Sequence, residues 1–198
     1  EKEALKIAKA FNSISSIDLR ANGLKTNLKD LKIISHKKNT DARGVLIEVF
    51  KKKVLKWNNL VFDYVTTSKK NVLRGFHFQS KYSQAKFVKV LRGRIFDCVI
   101  DLRKSSKTFG KTFSIELSEK NQLSLYIPTG FAHAYYTHNN DSIIYYKLSN
   151  YYHPEYEDGI LWNDETLKIK WPNKNPKVSK KDMKLKTFSQ FINIYKGL

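Results

Sequence analysis

The sequence predicts a mainly β fold, a sandwich or barrel of short strands with helices only near its ends. Nine runs rich in β-branched and aromatic residues follow one another from about residue 31 to residue 149. They recur roughly every eight to twelve residues and are separated by turn residues, which is typical of sandwiches and barrels. The 198 residues are enough for one domain with a buried core, with or without a short appendage.

The N-terminal segment has a different pattern from the rest of the chain. Residues 2–11 read KEALKIAKAF, with apolar residues at helical spacing and good helix formers between them. A polar stretch follows at residues 12–16. We therefore interpret residues 1–25 as a partly helical appendage, which could pack on a partner subunit, and residues 26–198 as the main domain.

The β-rich runs are expected to form strands in order along the main domain. They read LKIIS, GVLIEVF, LVFDYVTT, FVKVLRG, IFDCVIDL, TFSIEL, LSLYIP, AHAYYTH and SIIYYKLS. Turn signals separate them at Arg92-Gly93, Phe109-Gly110, Pro128-Thr129-Gly130 and Asn139-Asn140-Asp141. Near the end, Ser179 could cap a short helix through Met183 and Leu185, and residues 188–195 could form a second helix.

The chain is strongly basic, with a formal net charge of +19 from 37 Lys and Arg against 18 Asp and Glu. A basic surface attracts phosphates, so nucleic acid or an anionic small substrate is one interpretation. The other is a soluble surface enriched in lysine. We favour the second and expect no nucleic-acid partner, because only six of the basic residues are arginines, the residue typical of nucleic-acid surfaces.

Membrane and redox signals point to the cytoplasm. The sequence has no run of about eighteen apolar residues that would predict a membrane span. It begins without the charged and apolar regions of a signal peptide. The single cysteine, Cys98, lies in an apolar strand, where a buried free thiol is the simplest interpretation.

Four segments carry residues suited to acid–base chemistry. VLRGFHFQ at 72–79 places Leu73, Gly75, His77 and Gln79 on one strand face and Arg74, Phe76 and Phe78 on the other. IPTGFAHA at 127–134 delivers His133 into a strand, YYK at 145–147 carries Tyr146, and GILWND at 159–164 ends in Asp164. An isolated strand histidine is usually structural, so a role for His77 depends on these companions. Asp164 could orient an imidazole, and Lys86 and Arg74 could stabilise an oxyanion.

A metal is the obvious alternative for two histidines in a β fold. Metal-binding barrels typically place two histidines one residue apart, followed by a carboxylate. Here the strand reads His77-Phe78-Gln79, His133 lies far along the chain, and Cys98 has no cysteine partner. We therefore predict no metal site.

Taken together and in order, the motifs resemble the dTDP-4-keto-6-deoxyglucose 3,5-epimerase family. The similarity extends from about Leu31 to Met183. It rests on Asp41-Ala42-Arg43-Gly44, VLRGFHFQ, Lys86 with FVKVLRG, FDCVIDLRKSS at 96–106, TFG at 108–110, IPTGFAHA, YYKLSNYY at 145–152, and GILWND with Trp171-Pro172. Each motif alone is weak, whereas their co-occurrence in this order is specific.

The resemblance implies a cupin-type jelly-roll that forms a homodimer by exchanging N-terminal strands. It implies that His77 is the base, Asp164 its orienting carboxylate and Tyr146 the acid on the opposite face. It places Lys86, Arg74 and His133 beside the sugar, and Arg43 and Glu48 at the nucleotide, sometimes across the dimer. We add Gln79 and Tyr152 to the candidate substrate-binding residues.

The implied chemistry is consistent. A ketone at C4 acidifies the protons at C3 and C5, a histidine removes one, and positive charge stabilises the enolate. Inversion needs a proton from the other face, hence a separate acid. No electron is transferred, so no cofactor is expected, and the substrate would be a nucleotide-diphosphate sugar.

One segment departs from the family pattern. The family usually has Gln and Asn near the nucleotide, about ten residues before its Leu-Arg-Gly, whereas this chain reads Phe62-Asp63-Tyr64-Val65-Thr66. The alternatives are a single-centre epimerase or keto-isomerase acting on a non-dTDP nucleotide sugar, or a non-catalytic nucleotide-sugar-binding module.

Overall fold

The computed structural model describes residues 26–51 and 60–198. Over these residues the chain forms twelve β-strands, two short 3₁₀ helices and one α-helix. The predicted N-terminal helix, and the domain boundary at residue 25, lie outside the described residues.

The strands follow the β-rich runs of the sequence. Their bounds are β1 Lys32–Ser35, β2 Lys38–Asp41, β3 Gly44–Ile47, β4 Phe62–Ser68, β5 Leu73–Gln79, β6 Lys86–Arg92, β7 Arg94–Asp101, β8 Thr112–Ser118, β9 Leu123–Ile127, β10 Phe131–Thr137, β11 Ser142–Leu148 and β12 Glu157–Gly159. The short helices are Pro154–Tyr156 and Asp182–Lys184, and α1 is Phe188–Tyr195.

Two five-stranded sheets form the body of the fold. The first has the order β1-β9-β6-β11-β4 and the second β12-β5-β10-β7-β8, while β2 and β3 form a separate hairpin. Neighbouring strands within them run antiparallel. Strands distant in sequence therefore become neighbours, and this is how the four predicted segments come together.

The two sheets pack their apolar faces against each other. Val88, Val90 and Ile144 of the first sheet belong to one buried cluster with Ile95 and Val99 of the second. Burying this apolar surface provides the main driving force for folding. The architecture confirms the predicted mainly β sandwich.

The C-terminal segment covers the outer face of the second sheet. Phe191 of α1 is fully buried among Phe76, Phe78 and Ile100. Because both faces of β10 are then covered, every residue of that strand is buried. Thr187 caps the N-terminus of α1: its hydroxyl accepts a hydrogen bond from the Gln190 amide in a capping box.

The predicted helix after Ser179 is a single 3₁₀ turn. The Ser179 hydroxyl accepts from the Asp182 amide at 3.0 Å. Before it, the main chain of Lys177 pairs with Asn71 and Leu73, and after it Lys186 pairs with Leu161. These bonds hold Asp182 beside Gly75 and His77 of β5. Among the described helices, none is long and apolar enough to cross a membrane.

Candidate active site

A cavity of about 440 Å³ opens between the two sheets. The first sheet contributes Tyr64, Thr66, Lys86 and Tyr146, and the second contributes Leu73, Arg74, His77, His133 and Tyr135. The C-terminal segment closes one side with Lys177, Val178, Ser179 and Asp182. The volume is within the range of small-molecule sites.

His77 is bound to a carboxylate at the edge of this cavity. Its Nε2 lies 2.9 Å from Asp182 Oδ1, and Asp182 Oδ2 accepts from the Gly75 amide at 3.2 Å. The His77 side chain is 30 % exposed, whereas that of Asp182 is 5 % exposed. A solvent-accessible imidazole is thus oriented by a carboxylate that is itself fixed by the main chain.

The ionisation of Asp182 determines the tautomer of His77. Burial favours the neutral carboxyl, but hydrogen bonds from His77, Gly75 and Ser179 and the charge of His77 outweigh it and hold the pKa of Asp182 below its usual value. An ionised carboxylate only accepts hydrogen bonds, so Nε2 of His77 must donate. The lone pair of neutral His77 then lies on Nδ1, as a general base requires.

A second histidine–aspartate pair lies beside the first. His133 is directly opposite His77 in the pairing of β10 with β5. Its Nε2 lies 2.8 Å from Oδ2 of Asp97, and both side chains are buried. The other oxygen of Asp97 is buried and has no hydrogen-bond partner among residues 26–51 and 60–198.

Tyr146 faces the cavity from the opposite sheet and is almost completely buried. Burial raises its pKa well above the usual value, and nearby Tyr135, Tyr64 and Asp97 act in the same direction, while Arg74 opposes them. The hydroxyl therefore keeps its proton at neutral pH. Tyr146 is thus placed to donate a proton from the face opposite His77.

Lys86 and Arg74 bring positive charge to the cavity. Burial lowers the pKa of Lys86 to about 8, although Glu157 and Asp97 raise it in part. Arg74 donates from Nε to the Ser68 hydroxyl at 3.2 Å. Both groups are suited to stabilising an oxyanion in a partly dry site.

The expected face of Arg74 was wrong. Simple alternation along β5 places Arg74 opposite to His77, yet both line the cavity. The reason is a bulge: β10 advances two residues from His133 to Tyr135 while β5 advances three from His77 to Arg74. An extra residue in one strand reverses the side on which the next side chain emerges.

A second cavity of about 310 Å³ adjoins the first and shares Tyr64, His77 and Lys86 with it. Its further lining includes Phe62, Gln79, Gln84, Tyr152 and Glu157. Gln79 is buried, and its amide bonds the main chain of Tyr82, Tyr151 and His153. The exposed Tyr152 donates its hydroxyl to Glu157 at 2.7 Å.

Over residues 26–51 and 60–198, no three His, Cys, Asp or Glu side chains are grouped so that they could hold a metal ion.

Known proteins share this arrangement of strands. The family model of dTDP-4-dehydrorhamnose 3,5-epimerase matches residues 25–190. The chain belongs to this family. A curated dTDP-4-dehydrorhamnose 3,5-epimerase of Methanothermobacter thermautotrophicus is 41 % identical over 153 residues, which cover 75 % of this chain and 83 % of that protein.

Two solved structures of the family superpose closely. The dTDP-4-dehydrorhamnose 3,5-epimerase of Bacillus anthracis, with TDP and pyrophosphate bound, has a TM-score of 0.80 at 37 % identity and covers 83 % of this chain and 97 % of its own. The epimerase of Legionella pneumophila, in complex with dTDP-4-keto-L-rhamnose, has a TM-score of 0.79 at 38 % identity, covering 83 % and 90 %. The expected family and fold are therefore confirmed.

Asp164 does not have the place that the family resemblance suggested. Its oxygens accept from the amides of Thr166, Leu167 and Phe188, the last at 2.8 Å, so it joins the start of α1 to the preceding turn. Asp182, not Asp164, is the carboxylate on His77. The correction follows from the path of the C-terminal segment, which leaves β5 after Ile160 and returns to it at Lys177.

Arg43 and Glu48 lie at the β2–β3 hairpin and outside both described cavities. Arg43 pairs with Asp41 at 2.7 Å and is almost fully exposed, and Glu48 pairs with Lys51. Within one copy of the chain, Arg43 and Glu48 are therefore not part of the cavities that contain His77.

Sequence reasoning missed Asp182, Asp97 and Tyr135 as residues of the site. Asp97 could have been found as a charged residue inside an apolar strand, where burial demands a partner. Asp182 is the only acidic residue after Glu165 in a lysine-rich stretch. Tyr135 gave no signal, because tyrosine is common in strands.

Proposed function

We propose that this protein is an epimerase of a dTDP-linked 4-keto-6-deoxy sugar that inverts C3 and C5. The observation that carries the proposal is the placement of a carboxylate-bound imidazole and a protonated phenol on facing sheets of one cavity, His77 on β5 and Tyr146 on β11. A sugar bound between the sheets would meet the base on one face and the acid on the other, which inversion requires.

Each inversion consists of two proton transfers. Nδ1 of His77 takes the proton from the carbon next to the ketone, and the bonding electrons move onto the C4 oxygen to give an enolate. The Tyr146 hydroxyl then gives its proton to the other face of that carbon, and the ketone reforms. Solvent finally reprotonates the Tyr146 oxygen and removes the proton from His77, so no cofactor takes part.

Lys86 is the group best suited to the enolate oxygen. It projects from β6 into both cavities and carries an ammonium group at neutral pH. Charge placed in advance at a developing oxyanion lowers the barrier without reorganisation during the reaction. His133, held by Asp97, lines the same cavity from the opposite sheet.

The second cavity is our candidate for the nucleotide. Its aromatic side chains Phe62 and Tyr152 could stack on a base, and it shares Tyr64, His77 and Lys86 with the first cavity. The structures of relatives that contain TDP or dTDP-4-keto-L-rhamnose support a dTDP-linked substrate. We further propose that the protein acts in the cytoplasm, because its single cysteine, Cys98, is a buried free thiol, as is usual in reducing compartments.

Solvent exchange tests the proposed activity. In deuterated water, dTDP-4-keto-6-deoxyglucose should gain deuterium at C3 and C5 and be converted to the inverted product, as read by NMR. His77→Asn should lose about a thousand-fold or more of this rate, because the imidazole lone pair is absent. Exchange at one carbon only would indicate the single-centre alternative, and no exchange with any 4-keto nucleotide sugar would exclude an epimerase.

We also propose a homodimer in which the β2–β3 hairpin extends to a second copy of the chain. Among the described strands the hairpin pairs only with itself, and it exposes Val45 and Leu46. An isolated hairpin is marginal in water. The edge strand β4 exposes Val65, Val61 just before it is also exposed, and among the described strands β4 has a neighbour on one side only. Strand addition would satisfy both elements and carry Arg43 to the partner's nucleotide.

Mixing two inactive variants tests this exchange. Arg43→Ala and His77→Asn each impair their own homodimers. If Arg43 serves the partner's site, a mixed dimer contains one site with both residues intact, so co-refolding the two variants should restore activity. Additive residual rates, or a monomer in light scattering, would contradict the exchange.

A further inference from the structure

Tyr64 stacks on the proposed acid. Tyr64 of β4 and Tyr146 of β11 are direct partners in the pairing of the two strands. Their ring centroids are 4.8 Å apart and their planes differ by 19°. The two rings therefore stack face to face, and Tyr146 is the tyrosine that we propose as the proton donor.

The Tyr64 ring is itself fixed by neighbours. Phe62 packs on it at 5.7 Å, and Tyr151 packs on Phe62 at 6.0 Å. Tyr64 lines both cavities, so this aromatic row forms part of the wall between the proposed sugar and nucleotide sites. The described ring on the other sheet that contacts Tyr146 is His133, at 6.1 Å and a steep angle of 64°.

Proton return is sensitive to the position of the phenol. After His77 has taken a proton, the enolate has two possible fates: His77 gives a proton back with retention, or Tyr146 gives one with inversion. Displacements near 1 Å can cost a proton-transfer step about a hundred-fold. A stacked ring restricts the side-chain torsions of Tyr146, and that restriction favours inversion.

We propose that Tyr64 is a positioning residue that holds Tyr146 for proton return and thereby determines what share of abstraction events ends in inversion. This inference rests on the proposed function and adds to it. Tyr64 itself gives up no proton in the reaction, and its contribution is the ring face.

The test separates exchange from inversion. Each variant is incubated briefly with dTDP-4-keto-6-deoxyglucose in deuterated water, and NMR gives deuterium at carbons with inverted and with retained configuration. Tyr64→Leu removes the ring, and Tyr64→Phe keeps it as the matched control. We expect the ratio of inverted to retained deuterium to fall about ten-fold in Tyr64→Leu. In Tyr64→Phe it should stay within about two-fold of wild type.

The outcomes distinguish this inference from the proposed function. No exchange by the wild-type protein overturns both. Exchange by the wild type, with an unchanged ratio in a folded Tyr64→Leu, overturns the positioning role alone. An equal fall in exchange and inversion also overturns it, because the ring would then act on substrate binding or folding. If circular dichroism shows that Tyr64→Leu does not fold, Tyr64→Met, whose longer unbranched side chain adapts to irregular gaps, gives the same readout.

Discussion

Asp182 and Asp164 accept hydrogen bonds from main-chain amides, but only Asp182 also binds an imidazole. At the residue scale, this difference leads us to propose that Asp182 positions His77 for catalysis and that Asp164 has a structural role at the start of α1. Asp164 lies in irregular chain and Asp182 begins a single 3₁₀ turn, so neither belongs to a strand whose alternation would show where its side chain points. His77 could be predicted from its segment, whereas its partner, 105 residues away, could not.

Substituting each aspartate by its amide should therefore give opposite results. Asp182→Asn removes the acceptor that fixes the His77 tautomer, and kcat should fall about a hundred- to ten-thousand-fold with little loss of stability. Asp164→Asn removes one acceptor from the start of α1 and should cost about 1–2 kcal/mol of unfolding free energy. Its kcat should remain close to wild type. Steady-state kinetics measure kcat and urea unfolding measures stability. A large loss of kcat in Asp164→Asn but not in Asp182→Asn would show that Asp164 is the catalytic partner of His77.

The lowered pKa of Lys86 predicts a pH limit on the reaction. Its burial shifts the pKa to about 8, so the ammonium is present below that pH and is lost as the pH rises through it. Because we propose that this charge stabilises the enolate, we expect kcat/KM to fall above about pH 8. Lys86→Met should be slow at every pH and lack this fall. A wild-type profile that stays flat to pH 10 would show that the ammonium does not assist.

At the element scale, β5 shows what strand patterns can and cannot predict. The alternation of apolar and polar residues, together with the turn residues, predicted the strand and its neighbours. This works because successive side chains of a strand point to opposite faces of the sheet. The bulge at Gly75 and Phe76 could not be predicted from alternation, since it depends on how β10 pairs with β5. It brings Arg74 and His77 to the same cavity.

Gly75 is the residue that permits this close approach. It has a φ of +109°, and a Cβ there would lie 2.4 Å from the His133 carbonyl oxygen. Gly44 has a φ of +132°, but a Cβ there would meet nothing within 4 Å. Both alanine variants carry backbone strain, and only Gly75→Ala adds a clash with β10.

Gly75→Ala should thus be less stable than Gly44→Ala by about 2 kcal/mol or more. It should also lose activity, because His77 and His133 lie on the two strands that must separate. Thermal and urea unfolding of the two variants provide the comparison. Equal stabilities would mean that the strands adjust without cost.

At the scale of the whole molecule, His36 links the β2–β3 hairpin region to the first sheet. Its Nδ1 donates to the Glu48 carbonyl at 3.0 Å, and its Nε2 accepts from the Ser124 hydroxyl at 2.7 Å. Burial lowers its pKa to about 4, and the charge of Lys89 acts in the same direction, against the Glu48 carbonyl. The folded protein therefore keeps His36 neutral where an unfolded chain would protonate it.

This predicts a loss of stability in acid. Between about pH 6.5 and pH 4 the unfolded chain binds a proton at His36 that the folded chain does not, so the unfolding free energy falls with falling pH. The loss should reach about 2 kcal/mol. His36→Gln should be less stable at pH 7 but should lose less on acidification. Parallel stability curves for the two proteins would contradict the assignment.

The position of Asp182 in the chain has a consequence for biosynthesis and breakdown. All twelve strands are complete at residue 159, yet the carboxylate that orients His77 arrives later, on a segment outside the sandwich. A polypeptide cut between these points would keep the strands of both sheets but lose Asp182 and α1, whose Phe191 covers the outer face of the second sheet. Premature termination or clipping there would leave His77 without its carboxylate and expose apolar surface, so such fragments should be unstable as well as inactive.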